Sequence, residues 1–177
     1  KKLKFEGVSI NSKQIKKDNL FVAIKGKNYD GQVFVKEALK NKANYCVVQK
    51  NINEPHKKKI IKYYSTLKFL NKLATLKRNH TNSKVVAITG SSGKTTLKTM
   101  LGKTLSNYGK TYFSQKSYNN HIGVPLSLCN MEHEHKYSVF EIGMSNRGEI
   151  RRLSNLVKPN IAIITNIGEA HIENFEN

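Results

Sequence analysis

The chain has 177 residues with 38% hydrophobic side chains, enough for one ordinary domain or two small ones. It carries a net charge of +19, but 27 of its 31 basic residues are lysines spread along the chain, alongside twenty asparagines. Specific nucleic-acid readers lean on arginine forks and interleaved aromatics, so no specific nucleic-acid partner is expected; no run of about 18 apolar residues exists to span a bilayer.

Residues 5–10 read as a short strand and Leu20–Ile24 as a buried one. Gln32–Asn41 has helical spacing, and Tyr45–Gln49 is a further apolar strand. Ile60–Lys77 places Ile60, Ile61, Tyr64, Leu67, Leu70, Leu73 and Ala74 at the spacing of one long amphipathic helix. Asn79–Ser83 is polar and precedes a strongly apolar run, which puts a domain boundary there: residues 1–82, then 83–177.

The second half alternates strand and helix. Lys84–Ile88, Thr111–Phe113, Tyr137–Ile142 and Ile161–Thr165 read as strands. Lys94–Asn107, with Leu97, Met100, Leu101 and Leu105 on one face, and Glu149–Leu156 read as helices. That alternation predicts an α/β fold: a small N-terminal α/β domain, then the first part of a P-loop domain with a mostly parallel sheet. Cys46 and Cys129 are far apart among apolar neighbours, the pattern of reduced, packed thiols in a cytoplasmic protein.

Thr89-Gly90-Ser91-Ser92-Gly93-Lys94-Thr95-Thr96 links a β-branched strand to a helix. Glycines let the backbone bend around an anion, and the new helix presents unpaired N–H groups to it. Lys94 would reach a β- or γ-phosphate, and the Thr95 hydroxyl would ligate Mg²⁺. The loop is shorter than the common pattern, which wants a glycine where Ile88 stands.

Glu141 ends a strand of the same predicted sheet, where it would hold Mg²⁺ directly or through water. His171 follows another strand end. Asn119 and Asn120 lie in a polar loop before Val124-Pro125-Leu126, and their role, like that of His121, stays open from the residues alone.

Taken together, these segments resemble the Mur ligase family. The shortened loop is similar to the family's ATP loop. Asn119–Leu126, Glu141–Met144 with Gly148–Ile150, and Thr165–His171 resemble its branch that joins D-alanyl-D-alanine to UDP-N-acetylmuramoyl-tripeptide. The N-terminal half resembles the family's UDP-substrate domain, with Ser12, Asp30 and Gly31 at the substrate side. It departs from the family at Asn11-Ser12-Lys13, often Asp-Ser-Arg, and at Gln32, often His. At His121 the family commonly has Glu.

The resemblance implies a cytoplasmic, monomeric, ATP- and Mg²⁺-dependent ligase of peptidoglycan synthesis working through an acyl phosphate. Lys94, Asn119, Asn120 and His171 would serve catalysis. Residues 89–96 would bind ATP, Thr95 and Glu141 one Mg²⁺, and His171 a second. It also implies three domains and a carbamylated lysine slightly beyond Asn177, so residues 1–177 alone are expected not to complete ligation. The alternatives are another Mur-type or folylpolyglutamate-type ligase, or a non-catalytic nucleotide-binding module.

Overall fold

The computed structural model describes residues 3–26, 29–53, 55–114 and 116–168. It divides into two compact units, Lys1–Lys72 and Leu73–Asn177.

The first unit is built on a parallel sheet of β1 (Val8–Ser9), β2 (Leu20–Val22), β3 (Tyr45–Val48) and β4 (Ile60–Lys62), in that spatial order. Alternate side chains of a strand face opposite ways. Phe21, Cys46 and Val48 accordingly pack in one core with Ala23, Ala43, and Val35 and Ala38 of helix α1 (Val35–Lys40). Leu20, Val22 and Val47 are also fully buried, as expected for strands covered on both faces.

The long helix expected over Ile60–Lys77 is two elements. Ile60 and Ile61 pair with Cys46 and Val47 as β4, and helix α2 runs only over Thr66–Asn79. Two adjacent β-branched residues suit a pleated edge better than a helix start. Ser65 marks the true start, its Oγ accepting the Lys68 N–H at 3.3 Å. The division between the two units falls inside α2.

The second unit contains β5 (Lys84–Thr89), α3 (Lys94–Ser106), β6 (Thr111–Phe113), α4 (Gly123–Cys129), β7 (Tyr137–Glu141), α5 (Glu149–Val157) and β8 (Ile161–Ile164). Its strands are parallel in the order β6-β7-β5-β8. The chain moves toward one edge from β5 to β6, then in the opposite direction from β6 to β7 and from β7 to β8. Parallel crossovers are right-handed, so α3 must cover one face and α4 and α5 the other. The packing agrees: α3 lies on β5, β6 and β7, while α4 contacts α5 and β7, and α5 contacts β5.

On the α3 face, Leu97, Leu101 and Leu105 meet Val86, Ile88, Val139, Phe113 and Ile163. Met100, expected on that face, is 62% exposed. The sequence reading assigns no helix after the polar loop that ends at Gly123, yet Gly123–Cys129 form α4, with Pro125 in its first turn, where its missing N–H costs nothing. All seven α4 residues are buried. Arg78, near the end of α2, donates through Nε to Val157 O and through a guanidinium NH₂ to Lys158 O, both at 2.6 Å, and so caps the C-terminus of α5.

Candidate active site

The reversal of direction in the second unit leaves the C-terminal ends of β5, β7 and β8 side by side, the place where open parallel sheets bind ligands. The segments that follow these three strands enclose a cleft of about 390 Å³. Gly90, Lys94, Asn119, Gly143, Met144 and Ile164 are among its walls.

The phosphate loop leaves β5 at Thr89 and enters α3 at Lys94. Gly90 has φ +132°, and a Cβ there would collide with Thr165 Oγ1 and lie 2.9 Å from Asn166 O. Only glycine meets both demands. Lys94 folds back on the loop, its Nζ donating to Gly90 O at 2.6 Å and Ser91 O at 3.2 Å. Thr95 and Thr96 are exposed at the first turn of α3.

Glu141, 2% exposed at the end of β7, is held at both oxygens. Thr95 Oγ1 donates to Oε2 at 2.9 Å, and Asn119 Nδ2 donates to Oε1 at 2.8 Å. Lys98 Nζ lies 3.4 Å from Oε2. Lys98 is fully buried, and also donates to Lys116 O at 2.9 Å and Ser114 Oγ at 3.3 Å. A buried carboxylate and ammonium are tolerated when paired and hydrogen-bonded, and this pair is both. With its own proton committed to Glu141, the Thr95 hydroxyl is left to accept, and Ser117 Oγ stands 3.1 Å from it.

Thr95 and Glu141 fit a hard cation: both present oxygen, and they already touch. Among the described residues no three His, Cys, Asp or Glu side chains gather as a self-sufficient metal cage. Mg²⁺ commonly keeps few protein ligands and fills its shell with phosphate and water oxygens, so a hydroxyl and one carboxylate suit it.

The sequence-predicted residues separate into distinct groups. Thr89, Gly90, Ser91, Ser92, Gly93, Lys94, Asn119 and Glu141 gather at the strand ends with Thr95 and Thr96. Asn120 is adjacent but turned away: its Oδ1 accepts the N–H groups of Ile122 and Gly123 and caps α4. His171 lies outside the described residues. In the first unit, Ser12 Oγ donates to Glu37 at 2.5 Å, and Asp30 Oδ1 accepts the Gln32 N–H at 3.0 Å. Gly31 is a close approach, where a Cβ would stand 2.6 Å from Ile24 O. Gln32 Oε1 accepts from the N–H groups of Gln49 and Lys50.

Three residues at the site carried no sequence-based role: Lys98, Thr165 and Asn166. A lysine one turn beyond Lys94, on the apolar side of α3, was the available signal for the first. Thr165 Oγ1 donates to Ser92 O at 2.6 Å, and Asn166 Oδ1 accepts from Ser91 N and Ser92 N at 3.1 and 2.9 Å.

A parallel sheet that ends in a glycine-bent loop, an amide-rich helix start and a hydroxyl–carboxylate pair defines a P-loop α/β domain. Family models sharpen this: Mur ligase family, catalytic domain, matches residues 4–78, and Mur ligase middle domain matches residues 88–177. The chain belongs to the Mur ligase family.

Among its relatives, the UDP-N-acetylmuramoyl-tripeptide–D-alanyl-D-alanine ligase of Rickettsia prowazekii is 39% identical over 95% of this chain and 37% of the relative. The ligase of the same name from Bacillus subtilis is 34% identical over 96% of this chain and 37% of the relative. The crystal structure I of MurF from Acinetobacter baumannii superposes with a TM-score of 0.84 at 35% identity, over 95% of this chain and 37% of that one. MurF from Thermotoga maritima in complex with ADP gives 0.80 at 35% identity, over 97% of this chain and 40% of that one. The chain thus spans a little over a third of the length of these relatives.

Proposed function

We propose that the protein carrying these residues is a cytoplasmic, ATP-dependent amide ligase that joins D-alanyl-D-alanine to UDP-N-acetylmuramoyl-tripeptide in peptidoglycan precursor synthesis. The observation that carries this reading is the meeting of Thr95, Glu141 and Asn119 at the mouth of the phosphate loop, in a chain whose relatives bear that ligase's name. The ADP complex of the Thermotoga maritima relative supports ATP as the nucleotide.

In this reading a substrate carboxylate attacks the γ-phosphate of ATP, giving an acyl phosphate and ADP. The amine of D-alanyl-D-alanine then displaces phosphate and closes the amide. Lys94 exchanges its two loop carbonyls for phosphate oxygens, so its charge is delivered only when the anion arrives. The N–H groups at the start of α3 stabilise charge on the same group. Thr95 and Glu141 would hold Mg²⁺, which when bound neutralises charge on the β- and γ-phosphates. Asn119 fixes the Glu141 carboxylate through Oε1 and borders the cleft.

Roles for His171 at a second Mg²⁺, for Asn120 in catalysis, and for Ser12, Asp30 and Gly31 toward the UDP-sugar belong to the same proposal. The Ser12 and Asp30 side chains already have partners, so their help would come through the shape and backbone of their loops. The protein is proposed to act as a monomer. No helix among the described residues is long and apolar enough to cross a membrane.

The test is turnover by the full-length polypeptide that carries these residues. ADP release should require UDP-N-acetylmuramoyl-tripeptide and D-alanyl-D-alanine together, with the pentapeptide product seen by mass spectrometry. Turnover with a single amino acid in place of the dipeptide would point to another Mur-type or a folylpolyglutamate-type ligase. Nucleotide binding without turnover on any of these substrates would point to a non-catalytic module.

A further inference from the structure

The segment Thr165–Gly168 is, as sequence, only the approach to His171. In the structure it lies against the phosphate loop and makes most of that loop's contacts. We propose that Asn166 and Thr165 are positioning residues that brace the shortened loop in its anion-receiving shape. The proposal rests on the reading that the loop binds nucleotide phosphates.

The argument begins with the loop's own amides. Ser91 N and Ser92 N find no partner within the loop. Both donate to Asn166 Oδ1, at 3.1 and 2.9 Å, and Ser91 N also reaches Asn166 O at 3.1 Å. Asn166 Nδ2 donates to Ser92 Oγ at 2.7 Å. Thr165 Oγ1 donates to Ser92 O, with Thr89 O as a weaker second acceptor at 3.2 Å. Ser91 Oγ donates to Gly168 O at 2.9 Å and accepts from Gly168 N at 2.8 Å. The amides and hydroxyls of Ser91 and Ser92, and the Ser92 carbonyl, are thus all tied to one short segment.

Two successive amides converging on one oxygen are how backbone loops hold an anion. Here a neutral carboxamide takes the outer pair. The amides nearer α3, together with Lys94, remain for phosphate, and the bracing carboxamide sets no negative charge against it. The common P-loop has a glycine where this chain has Ile88, which lies within β5. The shorter loop lacks that extra turn of its own, and the neighbouring strand supplies the support. Gly90 fits the same picture, because the space of a Cβ is filled by the Thr165 hydroxyl.

The rival interpretation is a placeholder: the Asn166 carboxamide stands in for phosphate and leaves when nucleotide binds. The two differ in sign. Loss of a brace weakens nucleotide binding, whereas loss of a placeholder strengthens it. In the full-length polypeptide, Asn166→Ala should raise the MgADP dissociation constant about tenfold or more, the scale of one to two hydrogen bonds. The KM for ATP should rise more than kcat falls. Without nucleotide, the Ser91 and Ser92 amides should exchange with solvent about tenfold faster, while amides in the middle of β5 and α3 keep parent rates. Thr165→Val should weaken MgADP binding, and Thr165→Ser, which keeps the hydroxyl, should restore it.

Unchanged or tighter MgADP binding by Asn166→Ala overturns the proposal. So does faster exchange spread through β5 and α3, which would make Asn166 a general stabiliser of the fold. Should the parent fail to bind MgADP, the nucleotide reading falls. Selective loss of Ser91 and Ser92 protection in Asn166→Ala then still supports the brace, and its persistence overturns it.

Discussion

Replacing Lys98 by methionine keeps the stem and removes the charge that faces Glu141. Lys98 is fully buried and Glu141 2% exposed, with 3.4 Å between Nζ and Oε2. Breaking a buried pair from one side costs about 3–5 kcal/mol, because the other charge is left uncompensated. Glu141 would keep its donors Thr95 and Asn119, which places the cost near the lower end, about 3 kcal/mol. At a typical urea sensitivity of about 2 kcal/mol per M, the unfolding midpoint should fall by about 1.5 M. Lys98→Met/Glu141→Gln should recover most of that loss, since replacing both charges removes the orphan that replacing one creates. A single variant within about 0.5 kcal/mol of the parent, the ordinary range of surface changes, would refute the reasoning. So would a double variant whose loss is the sum of the two singles.

Gly90→Ala should abolish measurable MgADP binding in calorimetry while leaving the far-UV circular dichroism unchanged, because φ +132° and the Thr165 hydroxyl both exclude a Cβ. Arg78→Lys should destabilise the protein in thermal unfolding by about 1 kcal/mol, since an ammonium cannot reproduce a guanidinium fork that spans two helix-end carbonyls. Burial pushes the Cys129 thiol up to about 12. The neutral form therefore persists from pH 7 to well above pH 9, and iodoacetamide followed by mass spectrometry should leave native Cys129 unmodified and label it after denaturation.

What the sequence shows most readily is local. Val85–Thr96 is a strand, a bend and a helix start written in consecutive residues, and the structure reproduces them in order. Glu141 was legible at one remove, because a carboxylate ending an apolar run lands at a strand end beside the loop. Ile60 and Ile61 were ambiguous, since adjacent apolar residues satisfy a helical face and a strand equally; pairing with β3 decided the matter. Helix α4 was not legible because its seven residues are too few to show a helical period, and both Gly123 and Pro125 are poor helix formers outside a first turn. Lys98 and Asn166 acquire meaning from partners far along the chain, and no window centred on either residue contains those partners.

Strand β5 has both its neighbours, β7 and β8, downstream in sequence. The loop at its end is completed by Asn166, 74 residues after Ser92. During synthesis at about 5–20 residues per second, roughly 4–15 s pass between the making of the loop and the making of its brace. The edge of β5 that β8 will cover stays unpaired until the end of that interval, whereas β7, made earlier, can already cover the other. The later of β5's two partners, β8, thus decides when that edge stops being open to association with neighbouring chains and when the loop receives the residues that hold its shape.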